Sequence, residues 1–199
     1  MGLSEHSVGT AQNRLPTAIE RFFRYNEGVP DDHAHLVSLL SERWVMTLAT
    51  QDAEAPYSTP LFYALDADPM VHGSRGPWLV FISDPATHHG QHLGAGPTPV
   101  SAATYLETEE VASIRGVQLR GTVHRGDSLP SAVRERARAV YLARHPVAAN
   151  ALKGHAPPAI YVLVVTWAKL TDNRLGFKSH RIVQYANADA VHRTSSGNR

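Results

Sequence analysis

Thr87, His88 and His89 follow Ser83-Asp84-Pro85 at the point where an apolar run, Leu79-Val80-Phe81-Ile82, gives way to polar residues. The run has the composition of a buried strand. The Ser-Asp-Pro break ends it, and Thr87 can cap a short helix that closes between Gly94 and Pro97. A strand feeding a helix start lined with hydroxyls and imidazoles is a plausible anion cradle. First-turn N–H groups and the helix dipole favour a phosphate there, and a protonated histidine adds to the attraction. The bland reading of the same residues is an ordinary capped joint, with Thr87 as its N-cap.

The histidines suggest a second chemistry. His88, His89 and His92 form i/i+3 and i/i+4 pairs on a helix, spacings that can chelate zinc or nickel. No glutamate completes an H-E-x-x-H pattern and no third ligand is assigned, so no metal is expected. His33 and His35 are read as surface residues of another helix. The 12 histidines are spread along the chain, which excludes a purification tag as their source.

The elements that must position these groups follow from pattern. The 199 residues are 43% hydrophobic and 19% charged, the profile of one globular domain. Residues 1–14 are polar and periodless, and a short helix is expected over 16–25. Asp31 or Asp32 can cap a helix from His33 to Glu42, with Leu36, Leu39 and Leu40 on one face. Strands are expected over 44–50, 57–65, 79–82, 99–106, 111–124, 160–166 and 177–185. Pro60 marks the second of these as an edge, a bulge or a place where a ligand faces the backbone. Pro130 to Arg144 is the clearest helix, with Val133, Ala137, Val140 and Tyr141 on its buried side and Arg134, Arg136 and Arg138 on a solvated one. Early strands follow one another through loops too short for crossover helices. The predicted fold is therefore α+β and mainly β, a six- to seven-stranded antiparallel barrel with peripheral helices.

Composition narrows function. The net charge is +1 and there is no cysteine. Disulfide scaffolds, thiol catalysis and cysteine-bound zinc are excluded, and nothing pulls the whole chain towards nucleic acid or a membrane surface. No apolar run approaches a membrane span and no secretion signal is visible, so a cytoplasmic location is expected. The three tryptophans are read as core or interface aromatics.

Two segments carry a family resemblance: Ile114-Arg115-Gly116-Val117-Gln118-Leu119-Arg120-Gly121 and Thr171-Asp172-Asn173-Arg174-Leu175-Gly176-Phe177. With Ala143-Arg144-His145-Pro146-Val147-Ala148 between them, they resemble an uncharacterised bacterial group of the FMN-binding split barrels, the pyridoxamine 5′-phosphate oxidase-like superfamily. The similarity runs from about Arg43 to Tyr185. It implies a split-barrel domain over 31–186, an N-terminal extension over 1–30 and a tail over 187–199.

The resemblance also implies a cofactor, FMN ahead of FAD, a deazaflavin or haem, held at a homodimer interface and reacting with a small molecule. Carried over residue by residue, it places the phosphate at Ser83, Thr87, His88 and His89. The flavin ring falls beside Ser58, Thr59, Pro60 and Leu61, with Gln118 near a position where the family uses glutamine. Family cations that reach the cofactor are replaced here by His88 and His89, and by Thr59 and Ala64. The arginine–histidine pair that grips pyridoxamine phosphate has no counterpart, so vitamin B6 chemistry is not expected. The expected activity is a flavin-dependent oxidoreductase; haem binding, or a cofactor-free binding module, is the alternative.

Overall fold

A computed structural model describes residues 31–67, 76–153, 157–177 and 179–185. The arm and helix expected within 1–30 and the tail expected over 187–199 lie outside them. The chain begins with α1 (Asp31–Ser41) and runs through β1 (Val45–Gln51), β2 (Pro56–Phe62), β3 (Ala64–Asp66) and β4 (Trp78–Ser83). Next come α2 (His88–Leu93), β5 (Thr98–Tyr105), β6 (Arg115–Arg125) and α3 (Ser131–Arg144). Strands β7 (Ala159–Asp172) and β8 (His180–Gln184) complete the set. Among the described residues every strand pairing is antiparallel, in the order β2-β1-β5-β6-β7-β4-β3, with β8 added to β7. The sheet curls until β2 meets β4, giving a split β-barrel with helices at its periphery.

Pro60 sits on β2 at the edge of the sheet, where its missing N–H disturbs no inner ladder. The strand expected over 57–65 is interrupted at Tyr63. Its buried phenol turns inward and donates to the Leu40 carbonyl at 2.6 Å, while its own carbonyl meets His145 Nε2 at 2.9 Å. Burial pushes the Tyr63 pKa up to about 12. One residue thus ties α1, the β2–β3 junction and the end of α3 together, at the cost of a continuous strand.

Strand β7 is longer than its apolar start suggests. Ile160 to Val165 is a nearly unbroken buried run, after which Ala168, Leu170 and Asp172 alternate inward with Trp167, Lys169 and Thr171. The change coincides with a bulge: Arg120 pairs with Trp167 and Gly121 with Val165, which leaves Thr166 as the extra residue. A Cβ on Gly121 would lie 2.1 Å from the Val164 carbonyl oxygen, so glycine is required there.

Two cores result. Leu36, Leu39 and Leu40 of α1 pack with Met46, Leu48, Leu79, Phe81, Leu119 and Leu163 inside the barrel. Each such leucine is worth roughly 1.5–3 kcal/mol on burial. Outside it, Ala137 and Tyr141 of α3 cover Ala64, Trp78, Val80, Ile160 and Val162. The arginine face of α3 is not wholly solvated: Arg136 makes a two-bond fork to the buried Asp66 carboxylate, at 2.6 and 2.7 Å.

The two motif segments meet. Arg115 pairs with Asp172 across β6 and β7, and the Asn173 N–H donates to the Ile114 carbonyl at 3.0 Å. Asp172 caps a 3₁₀ turn over Asn173–Leu175, accepts from Arg174 at 2.6 and 2.9 Å, and lies 3.3 Å from His35 Nε2. Gly176, at φ 130°, makes the exit that a side chain would strain. His33 is buried rather than on the surface, with Nδ1 2.6 Å from the Tyr185 hydroxyl. Both histidines of α1 are therefore structural contacts, a correction to their expected exposure.

The Arg174 fork holds the Asp172 pKa down to about 2. Asp172→Ala removes a cap and the carboxylate partner of a half-exposed arginine, and should destabilise the fold by about 1–2 kcal/mol. The expected readout is a lower urea midpoint at pH 7 with an unchanged denaturant slope.

Candidate functional site

The joint between β4 and α2 forms as its residue types demand. The Asp84 carboxylate accepts the Ala86 N–H at 2.8 Å, and the Asp84 carbonyl accepts the Thr87 hydroxyl at 2.7 Å. Thr87, extended at φ −67° and ψ 157°, is the N-cap and accepts from the Gly90 N–H at 3.2 Å. Gly94 ends the helix.

Three of the four residues expected at the phosphate come together. His89 Nε2 lies 2.6 Å from Ser83 Oγ and 3.2 Å from Thr87 Oγ1. Because Thr87 gives its only hydroxyl proton to Asp84, a proton on His89 Nε2 satisfies both contacts and leaves the Ser83 hydroxyl proton to be directed elsewhere. Burial first, then the nearby His92 and His88, lowers the His89 pKa from its ordinary 6.5. The imidazole is thus neutral at pH 7 in the absence of an anion.

His88 does not join this group. A step of one residue along a helix turns a side chain by about 100°. Its ring packs edge-on against Tyr57, 4.7 Å between centroids, and Nε2 is 3.4 Å from Asp52 Oδ2. The Tyr57–His88 contact is also direct evidence that the start of β2 lies against α2.

The four β2 residues expected along the flavin ring divide between faces. Thr59 and Leu61 are half-buried towards the barrel interior, while Ser58 and Pro60 are exposed outside. Pro60 heads a cross-sheet row through Thr47, Ala103 and Gln118, and Ser58 heads the next through Ala49, Ser101 and Arg120. Gln118 therefore shares the outer face with Ser58 and Pro60 but stands about 14 Å from Pro60, three strand spacings away. Residues of this face include Val45, Phe62, Tyr105 and Ile182, all exposed.

Pattern reading missed Asp52 and Tyr57. Both lie in or next to the β1–β2 turn, and no periodicity links that turn to a helix much later in the chain. A cleft of about 420 Å³ opens between α1 and α3, lined by Leu40, Arg43, Tyr63, Leu65, Val140 and Arg144 among others. None of the expected cofactor residues lines it. Among the described residues the buried histidines are His33, His89 and His145, and each has a ring nitrogen already engaged by a protein group. No described helix is long and apolar enough to cross a membrane.

No family model matches the chain. It is 30% identical over 138 residues to UPF0306 protein YhbP of Salmonella paratyphi B and of Salmonella typhi, covering 69% of this chain and 83% of the relative. A heme binding protein from Mycobacterium smegmatis has a similar structure, with a TM-score of 0.61 and 21% identity over 81% of this chain. The chain spans 60% of that protein's length. An FAD binding protein from the same organism aligns with a TM-score of 0.52 and 12% identity, covering 77% of this chain and 96% of the other. At these identities the structural likeness establishes a common fold.

His33 and His89 make the fold sensitive to acid in a defined window. Burial lowers both pKa values below 6.5, so the unfolded chain binds protons more readily than the folded one. Their contribution to stability is intact above 6.5 and is lost as pH falls below it. Asp172 is shifted in the same direction from 3.8, and its contribution is lost only as pH falls from there towards 2. Thermal melts should therefore show Tm dropping from pH 7 to pH 5, and a His33→Gln/His89→Gln variant should show a smaller drop.

Proposed function

The chain belongs to the UPF0306 family, and from its split-barrel fold and the residues at the β4–α2 joint we propose that it is a flavin-binding split-barrel protein, taking FMN and acting as a homodimeric oxidoreductase on a small molecule. The observation that carries this reading is the juxtaposition of two segments far apart in sequence. Edge strand β2 touches both β4 and α2, where Tyr57 packs against His88, so the strand that carries Ser58 and Pro60 runs past the joint that holds Ser83, Thr87 and His89. A phosphate-tailed planar cofactor needs such a pair of surfaces: donors for its anion and an uncrowded wall for its ring.

The residues fit those two requirements. Ser83 supplies an O–H donor, and His89 a further N–H when its ring takes up a second proton, so the site holds no permanent cation. Ser58 and Pro60 line the ring, and their neighbours Thr47, Ala49 and Ala103 are too small to crowd it. A bound flavin supplies the redox chemistry, while these side chains hold and orient it. The solved FAD binding protein of the same fold supports a flavin in general.

The exposed apolar residues of the outer face, Val45, Phe62, Tyr105 and Ile182, fit an interface with a second copy, which would bring another Gln118 towards each site. The split-barrel domain is taken as residues 31–186, preceded by an extension and followed by a short tail. The IRGVQ and TDNxLGF segments are read as marks of the bacterial group within the superfamily. They pair with each other across β6 and β7, and Arg115 and Asp172 also reach Glu42 and His35, so they help to hold the sheet to α1.

A phosphate against His89 would raise its pKa, so FMN binding takes up a proton and tightens as pH falls. Fluorescence titration should show saturable FMN binding that is tighter at pH 6 than at pH 8. Loss of a charge-assisted hydrogen bond costs roughly 1.5–3 kcal/mol, so His89→Ala should weaken binding about tenfold or more. An unchanged affinity would refute the cradle, and no binding of FMN or FAD, with haem bound instead, would refute the flavin. Light scattering should give the mass of a dimer, and Tyr105→Asp should convert it to a monomer.

A further inference from the structure

We propose that Asp52, His88 and His92 form a binding site for one divalent transition-metal ion of the zinc type, which clamps the β1–β2 turn to α2. The inference goes beyond the flavin reading and does not depend on it. The three groups come from a turn and a helix that sequence spacing does not connect. His88 and His92 stand four residues apart on one face of α2. The carboxylate missing from a histidine-only reading is delivered by the fold.

Two of the three donor pairs are already at ligand spacing. His88 Nε2 and His92 Nε2 lie 3.4 and 3.2 Å from the same oxygen, Asp52 Oδ2. All three groups offer an atom within 4.8 Å of the others. Donors about 2.0–2.1 Å from a tetrahedral zinc ion stand roughly 3.3–3.5 Å apart, so an ion fits with only small side-chain rotations.

The remaining polar atoms of two ligands are occupied in the way a metal site requires. Asp52 Oδ1 accepts the backbone N–H groups of Glu54 and Ala55 at 2.8 and 2.9 Å, which leaves Oδ2 facing the histidines. His92 Nδ1 lies 2.9 Å from Thr50 Oγ1. When Nδ1 carries the proton and donates it to Thr50, Nε2 presents a lone pair to the ion; such outer partners commonly orient metal-bound histidines. Tyr57 packs edge-on against both rings, at 4.7 and 5.9 Å between centroids, which restrains their rotation.

The donor set also limits the ion. Two imidazoles and a carboxylate suit zinc, cobalt, nickel, copper or iron(II) rather than calcium or magnesium. His92 is almost buried, with 8% of its side chain exposed, whereas 53% of His88 remains exposed. The outer side is therefore open to a fourth ligand, a water molecule or a group of an incoming small molecule. The competing account is a plain ion-pair cluster in which both imidazoles donate to Asp52. That account needs a proton on each Nε2 and predicts no metal affinity.

The experiment is a Zn²⁺ titration of the chelator-stripped, flavin-free full chain by calorimetry, with Co²⁺ absorption as a second readout. One strong equivalent per chain is expected, together with the visible d–d bands of a tetrahedral cobalt site and a Zn²⁺-dependent rise in Tm. Asp52→Asn keeps the turn's acceptor and hence the fold. It and His92→Ala should each weaken Zn²⁺ binding by at least about tenfold and remove the cobalt bands, while Thr50→Val should weaken it by about tenfold. His180→Ala, outside the cluster, should leave it unchanged. Absence of a strong equivalent would overturn the proposal, as would an equivalent that survives both ligand substitutions. Because FMN is absent throughout, neither result bears on the flavin titration.

Discussion

Strand β7 has to satisfy three partners at once, and the rest of the molecule is arranged around that demand. It pairs with β6 along most of its length, with β4 over its first half and with β8 over its second. No flat strand can serve both halves, because the first is buried on two faces and the second on one. The bulge at Thr166 resolves the conflict by changing which face each residue presents, and it bends the sheet there. The first half then receives α3, and the second leaves an outer face open.

Electrostatics secures the places where that curled sheet would otherwise fray. Asp172, at the last position of β7, is buried and ionised only because Arg174 and a backbone N–H meet it, with His35 close by. Asp66, at the last position of β3, is held by the Arg136 fork. Each pair ties a strand end to a neighbouring element, and each uses an arginine, whose fixed fork matches a carboxylate with two bonds. Arg144 uses its flat guanidinium differently, lying 3.6 Å above the centroid of the Trp44 ring and donating to the Ser41 carbonyl near the end of α1.

The same geometry divides the chemistry of α2. A helix of six residues offers its first turn to one neighbour and its flank to another. His89 faces β4 and becomes a neutral, buried partner of two hydroxyls. His88 and His92 face the β1–β2 turn and meet a carboxylate. The flavin and metal proposals therefore use adjacent faces of one helix, each tied to a different part of the sheet.

Residue order alone determined the antiparallel character of the sheet, the Thr87 cap and the buried side of α3, and it limited Pro60 to an edge, a bulge or a ligand-facing position. These are local facts, set by propensity, capping chemistry and the period of apolar residues within a few positions of each other. It also brought Ser83, Thr87 and His89 within one joint, because a strand–turn–helix is contiguous. What pattern could not reach is whatever requires two distant segments to touch. Adjacent His88 and His89 read as one pair, but they are separated by helical rotation and claimed by different neighbours. Asp52 reads as a turn residue until the curl of the sheet carries its carboxylate to α2. His33 and His35 read as solvent-facing, since neither Tyr185 nor Asp172 is foreseeable from α1. Partners of this kind are decided by the closing of the barrel, which depends on the packing of all eight strands and leaves no periodic trace near any one of them.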